Sequence, residues 1–424
     1  MSAAAAVPVE APAIAPVTPR RPLVMIGIAV VLGGLFTWLA PAGEVTTFIF
    51  NLGEQFFSIP DWSVNSRVAA VTFALVAVLA AVVAWPLHMR RRSLMWPSVV
   101  MGAALVMSFL SWVAAGESLP LTGLLQGSLL LAVPLVFGAM GGVLCERAGV
   151  ININIEGQLL AGAFMGAVVG SLAANAYLGL VAAPMAGALI GVLLAVFATR
   201  YFVDQVVVGV VLNVLVIGLT GFLYSRFLTE DPDRWNNPPR LPNITIPVLS
   251  EIPVVGPVLF EQNLIVYLMY VTVILVQIGL FSTPWGLRVR TMGEHPQAAD
   301  SVGIRVNSVR FRTVVLGAAV AGLGGAFFTL GSVGAFGREM TAGNGFIALA
   351  AVIFGRWTPL GSLGAALLFG FAYNLQNVLS IIGSPIPSQF LLMAPYLVTL
   401  FAVVGLVGKV RAPAADGIPF RKST

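Results

Sequence analysis

The polar groups best placed for chemistry fall in one short run, residues 146–158, which reads E-R-A-G-V-I-N-I-N-I-E-G-Q. It puts three charges, two Asn and one Gln into a chain that is only 9% charged. Asn152, Asn154 and Gln158 offer paired donors and acceptors without demanding charge, which suits a neutral polar solute. Glu156 is the one good candidate for an acid that binds a coupling ion. Residues 152, 154, 156 and 158 alternate, so an extended segment would align them on one side. A helix would spread them over a wide arc. The same amides could instead tie a helix break to neighbouring helices, and both readings stay open here. A charge at mid-membrane depth costs ~2.5–3.5 kcal/mol on insertion scales, so these groups must face protein or water. Gly149 and Gly157 weaken any continuous helix, and broken backbone at that depth is tolerated only against protein or a watery cavity. A polar, broken crossing is how many transporters build a pathway.

The elements that position this run are apolar and long. Residues 121–144 precede it and 159–172 follow it, nearly pure hydrocarbon with Gly and Ala. Hydrophobic residues make up 58% of the 424, and the mean hydropathy is +0.96. Apolar blocks recur from Leu23 to Val407, each near the ~20 residues a helix needs to cross hydrocarbon. They run continuously rather than alternating, which excludes a β-barrel. The fold class is therefore all-α, a polytopic membrane protein. Candidate spans are 23–39, 68–87, 97–114, 121–144, 158–174, 178–198, 205–223, 264–281, 313–330, a short 346–354, 361–379 and 390–407. The count is ten to twelve, because 146–158 and 331–354 read as half-helices: discontinuous central helices in an inverted-repeat core. Rows of small residues (Gly138/Gly142, Gly162/Gly166/Gly170, Gly187/Gly191) predict close helix approach.

Basic residues orient the spans. Arg20-Arg21, Arg90-Arg91-Arg92, Arg147, Arg200, the arginines of 288–312 and the C-terminal end go inside, with both termini cytoplasmic. That topology accounts for the net charge of +5 and makes nucleic acid no partner. The organisation predicted is a disordered cytoplasmic tail over 1–21, N-terminal transmembrane helices over 22–120, a core over 121–408 and a cytoplasmic tail over 409–424. Residues 229–263, rich in proline, read as an ordered outer loop or short hairpin.

Other chemistry is thin. The single cysteine, Cys145, permits no internal disulfide, and His88 and His295 are too far apart for a His-based metal cluster. No phosphate loop, H-E-x-x-H motif or Ser/His pair stands out, which argues against catalysis by this chain and implies no cofactor or metal. Any pump must draw on an ion gradient or a separate ATPase. Asn213, Asn344, Asn374 and Asn377 are secondary pathway candidates, with interhelical hydrogen bonding the competing role. Trp357 could serve the same half-helix or an interfacial belt. In 282–312, Pro296 at a first turn and Gly303 as terminator predict one short helix. Ala298, Ala299 and Val302 would share a small apolar face on it, either for docking on a cytosolic partner or as an ordinary interfacial loop.

Three stretches carry a family resemblance. The run at 146–158, G-E-H-P-Q-A-A-D-S-V-G-I at 293–304, and M-T-A-G-N-G-F-I-A-L-A-A-V-I-F-G-R-W at 340–357 followed by Pro359-Leu360-Gly361 resemble the permease subunits of bacterial ABC importers. These serve ribose, branched-chain amino acids and related solutes, and the nucleoside (simple-sugar-like) branch is nearest. Asn154 departs from the pattern, since relatives carry Gly or a small residue there. The resemblance implies a non-enzymatic translocation path in the cell membrane, probed by Asn152, Asn154, Glu156, Gln158, Asn213, Asn344, Asn374 and Asn377. It implies ATPase coupling through Gly293, Glu294, Pro296, Ala298, Ala299, Gly303 and Ile304. The partners it implies are a cytosolic ABC ATPase, a second related permease in a heterodimer, an extracytoplasmic substrate-binding lipoprotein and membrane lipid. An ion-driven secondary transporter of a small polar solute is the alternative.

Overall fold

A chain this apolar must satisfy its backbone within each segment, and helices do so in lipid. A computed structural model describes residues 18–52, 58–383, 385–387, 389–390, 393 and 411–421. Among these are nine helices long and apolar enough to cross a membrane, of 18 to 28 residues, and a shorter apolar one. The span proposed at 390–407, apart from residues 390 and 393, and most of the 1–21 tail lie outside the described residues.

The chain divides into two units. The first comprises Met1–Ile49, Pro60–Pro120 and Leu379–Pro387. In it α1 (Arg20–Leu39) leads to β1 (Val45–Ile49) and β2 (Trp62–Asn65), then α2 (Ser66–Met89), α3 (Met95–Val113) and β3 (Ser118–Pro120). The strands form a small sheet in the order β2-β1-β3, with β1 antiparallel to β2 and parallel to β3. Asn65 caps α2 by accepting from the Arg67 and Val68 amides. The three helices meet through Ala29, Ala77, Ala81 and Ala104, while Val31, Leu75 and Leu79 stay exposed. Small residues inward and large ones outward is the pattern lipid allows.

The second unit comprises Phe50–Ile59, Leu121–Val378 and Ser388–Thr424. It begins with α4 (Leu121–Arg147), α5 (Ile155–Leu172), α6 (Ala176–Thr199) and α7 (Gln205–Leu223), the last running into a π-helical turn at Tyr224–Leu228. Then come α8 (Pro232–Trp235), β4 (Asn243–Thr245), α9 (Val255–Leu259) and β5 (Glu261–Asn263), with β4 and β5 the short antiparallel hairpin expected in 229–263. Next are α10 (Leu264–Ser282), α11 (Pro284–Glu294), α12 (Pro296–Ser301) and α13 (Val306–Ala326), which ends in a second π-helical turn, Phe327–Val333. Finally α14 (Asn344–Phe354) and α15 (Pro359–Ile381) follow.

Glycine decides how α13 packs. A Cβ on Gly162 would strike the Gly322 carbonyl, one on Gly187 the Ala318 carbonyl, and one on Gly325 the Leu159 carbonyl. On α4, Gly138 lies against Ala348 and Ile155, and Gly142 against Val352. The predicted small-residue rows are thus the seams along which α4, α5, α6, α13 and α14 meet. Backbone contact there supplies the dispersion that lipid cannot differentiate.

Candidate functional site

Helix α4 ends where its sequence permits. Gly149 takes a φ of +84°, and the Gly149 and Val150 amides donate to the Glu146 and Cys145 carbonyls at 2.9 and 3.1 Å. This is the left-handed glycine cap that stops a helix. The chain resumes helix at Ile155. Residues 152–158 therefore do not form the extended, one-sided row predicted from their alternation. Ile155 opens α5 because two side chains from elsewhere satisfy the groups that the break leaves bare. Asn213 of α7 accepts from the Gly157 amide at 2.8 Å and donates to the Ile153 carbonyl at 3.0 Å. Gln205 accepts from the Ile151 amide at 2.8 Å.

Within the break, Asn152 and Gln158 pair reciprocally, amide to amide, at 3.0 and 3.1 Å, and both are fully buried. Asn154 is buried too, yet neither its Oδ1 nor its Nδ2 has a hydrogen-bond partner among the described residues. Glu156 points at the start of α14. Its Oε1 accepts from the Thr341 hydroxyl at 2.6 Å and the Gly343 amide at 2.8 Å, and its Oε2 accepts from the Gly345 amide at 2.6 Å. Gly345 has no room for a side chain, because its Cβ would overlap the Glu156 backbone. A carboxylate among free amides at a helix N-terminus is favoured by both hydrogen bonding and the helix dipole.

The other end of α14 is held as well. Arg147 donates to the Trp357 carbonyl at 2.7 Å and the Arg356 carbonyl at 3.3 Å, while the Trp357 indole donates to Glu146 Oε2. Trp357 is buried, which corrects the interfacial-belt reading. Asn374 of α15 donates to the Leu124 carbonyl of α4 at 2.7 Å, so it braces two helices. Asn377 is exposed on α15, and Asn344, half-buried, opens α14. Beside α7, Ile217, Gly218, Gly221, Phe222, Ser225, Arg338 and Glu339 line an open, polar-rimmed cavity of about 390 Å³. Arg338 there stacks over Tyr224 and bonds Ser225, both in the first π-helical turn, a feature often found at functional sites.

The 293–304 segment folds as the turn residues dictate. Pro296 starts α12, Gly303 at φ +83° closes it, and the Ile304 amide returns to the Ala299 carbonyl at 3.1 Å. Gly293 presses on the Arg147 carbonyl. The predicted shared face is corrected here. Ala299 turns inward and is fully buried, whereas its neighbour Ala298 faces out, because adjacent residues point about 100° apart on a helix. Val302 lies just past the end of α12 and is exposed. Arg310 was missed among the cytoplasm-marking arginines. It is 1% exposed, and its guanidinium donates to the carbonyls of Met292, Ala415 and Ile418. No cluster of three or more His, Cys, Asp or Glu that could hold a metal occurs among the described residues.

Comparison with known proteins accounts for these motifs together. The chain is 39% identical over 318 residues to the guanosine ABC transporter permease protein NupQ of Bacillus subtilis, covering 70% of this chain and 96% of that one. It is 38% identical over 315 residues to the nucleoside ABC transporter permease protein NupC of Lactococcus lactis subsp. cremoris, covering 70% and 95%. A second guanosine permease of Bacillus subtilis, NupP, is 25% identical over 300 residues, covering 67% and 83%. No solved structure matches. Residues 124–404 match the family model described as branched-chain amino acid transport system / permease component, and the chain belongs to that family of membrane permeases.

Proposed function

We propose that this permease carries nucleosides or a related ribose-bearing solute inward, driven by a separate cytosolic ABC ATPase. The supporting observation is the likeness to NupQ and NupC over nearly their whole length. The chain works beside a second related permease, a pairing suggested by the two guanosine permeases of one organism, and receives solute from an extracytoplasmic binding lipoprotein. Both termini face the cytoplasm, as the arginine-rich loops favour. Ala298 on α12 and Val302 just after it seat in the ATPase, with Gly293, Glu294, Pro296, Gly303 and Ile304 shaping that segment and Ala299 anchoring it from within.

The pathway residues divide by their partners. Asn152, Gln158, Glu156, Asn213 and Asn374 hold the broken helices in register. The cavity at Arg338 and Glu339 meets the solute, Asn154, buried with its amide unpaired, becomes available to it when the break opens, and Asn344 and Asn377 flank the path. An ion-driven carrier would need a free acid, and Glu156 is fully engaged with α14.

The test is uptake of labelled guanosine into vesicles holding the complete transporter, with the proton gradient collapsed and with glucose as competitor. ATP-dependent uptake that persists and ignores glucose is expected. Uptake lost with the gradient would overturn ATP drive, and competition by glucose would overturn the nucleoside assignment. Ala298→Trp adds volume on the outer face of α12 and should release the ATPase while the permease stays folded.

A further inference from the structure

The C-terminal residues 411–421 do not trail away from the fold. The Ala415 amide donates to the Gly293 carbonyl at 2.8 Å, and the Ala414 amide donates to Glu294 Oε2 at 3.2 Å. Pro413 lies against Gly293, Asn307 donates to the Phe420 carbonyl at 3.3 Å, and Phe420 is buried in the main core. Arg421 closes the strap over the ring of Phe202, 5.2 Å from its centroid. At the centre sits Arg310 of α13. One guanidinium nitrogen donates to Ile418 at 2.8 Å, and the other reaches Met292 at 3.1 Å and Ala415 at 3.4 Å. Gly149, the terminator of α4, must be glycine partly because a Cβ there would meet that guanidinium and the Ala415 carbonyl. A single buried cation thus joins the end of α11, the C-terminal strap and the root of α13.

We propose that residues 411–421 are a working part of the coupling element, and that Arg310 is the positioning residue that makes strap, α11–α12 and α13 move as one body. This rests on the reading of 293–304 as the ATPase dock. Loop alone would be a poor lever: α12 has six residues, and its outer face is small. Backed by the strap and pinned to α13, a push on α12 is delivered to the helix that packs by backbone contact along α6 and α5. Arginine suits this post because its planar fork serves several carbonyls at fixed angles, whereas lysine offers a point charge.

Two variants of the complete transporter test it: Arg310→Lys, which keeps a buried cation without the fork, and a chain ended at Val410, which removes the strap. The readout is guanosine imported per ATP hydrolysed in vesicles, beside co-purification with the ATPase. Both variants should lose at least about tenfold in solute moved per ATP while ATP hydrolysis continues. A merely structural role would lower the amount of folded complex and leave that ratio unchanged. Loss of the ATPase from a membrane-inserted chain ended at Val410, with a wild-type ratio in Arg310→Lys, would overturn it as well, since the strap would then only hold the dock together. A wild-type ratio in either variant overturns it. Absence of ATP-driven uptake in the unaltered transporter is a different failure, and strikes the importer reading itself.

Discussion

Replacing Glu156 separates the structural account of the polar run from the others. Three donors converge on its carboxylate: the Thr341 hydroxyl and the Gly343 and Gly345 amides, all within 2.6–2.8 Å. Glu156→Leu leaves the three bare, at ~1–3 kcal/mol for each buried donor. The sum, roughly 3–9 kcal/mol, is comparable with the ~5–15 kcal/mol by which folded domains are stable. Water cannot repair it, because Glu156 is only 5% exposed. Glu156→Gln keeps one acceptor oxygen for Thr341 and Gly343 but turns an NH2 towards the Gly345 amide. It loses one bond and the charge, roughly 2–4 kcal/mol in all. Leu should therefore be nearly absent from the membrane, while Gln accumulates, melts several degrees lower and still transports. Abundance by quantitative blot, thermal melting by size-exclusion fluorescence and initial uptake rates give the three readouts. Wild-type abundance and melting of Glu156→Leu would refute the capping argument. Full abundance of Glu156→Gln with no concentrative uptake would instead make Glu156 an ion site.

Asn154 should behave oppositely: its amide has no partner, so Asn154→Ala should leave melting unchanged or raise it while raising the KM for guanosine uptake, and a melting drop at unchanged KM would remove it from the solute path. Asp416 gives the strap a pH dependence. Burial pushes its carboxyl from an ordinary 3.8 up to about 7, against the pull of the Gly417 amide and Arg310. The folded state thus holds a proton that the released strap gives up, so docking is tightest at low pH, weakens from about 3.8 to about 7 and then levels. Protection of 411–421 against hydrogen exchange, taken relative to the intrinsic base-catalysed rate at each pH, should be lower at pH 8 than at pH 6, and Asp416→Asn should flatten that difference; a difference in protection that survives in Asp416→Asn would assign it elsewhere.

Spans were legible because length and hydropathy are local properties. The run predicted at 205–223 is α7 to the residue, and 264–281 differs from α10 by one. Partners of the polar groups were not legible, since Thr341 lies 185 residues from Glu156 and Trp357 lies 211 from Glu146. No periodicity spans such separations. Alternation in 152–158 suggested extended backbone, but α5 starts at Ile155 because Asn213, 56 residues after Gly157, satisfies the first turn. Arg310 did carry a signal. Stepping back from Ala321 and Gly317 by helical spacing reaches Thr313, Val314 and then residue 310, all on the buried face of α13. The predicted span began at 313, three residues too late to include it.

The charges in 146–158 acquire their order from α14. That helix has 11 residues, about 16 Å at 1.5 Å each. It lies beside the break with its N-terminus at Glu156 and the carbonyls of Arg356 and Trp357, just beyond its C-terminus, at Arg147. An anion therefore meets the positive end and a cation meets carbonyls just past the negative end, the one arrangement the helix dipole favours at both. Exchanging the two charges would put like against like at each end. Glu146, next to Arg147, cannot share its direction on α4, and it takes the Trp357 indole instead. The polar run is thus a cradle matched in sign and length to one short helix. The same match explains why the break must be short: the seven residues from Ala148 to Asn154 carry the chain from one end of α14 to the other while α4 and α5 both remain against it.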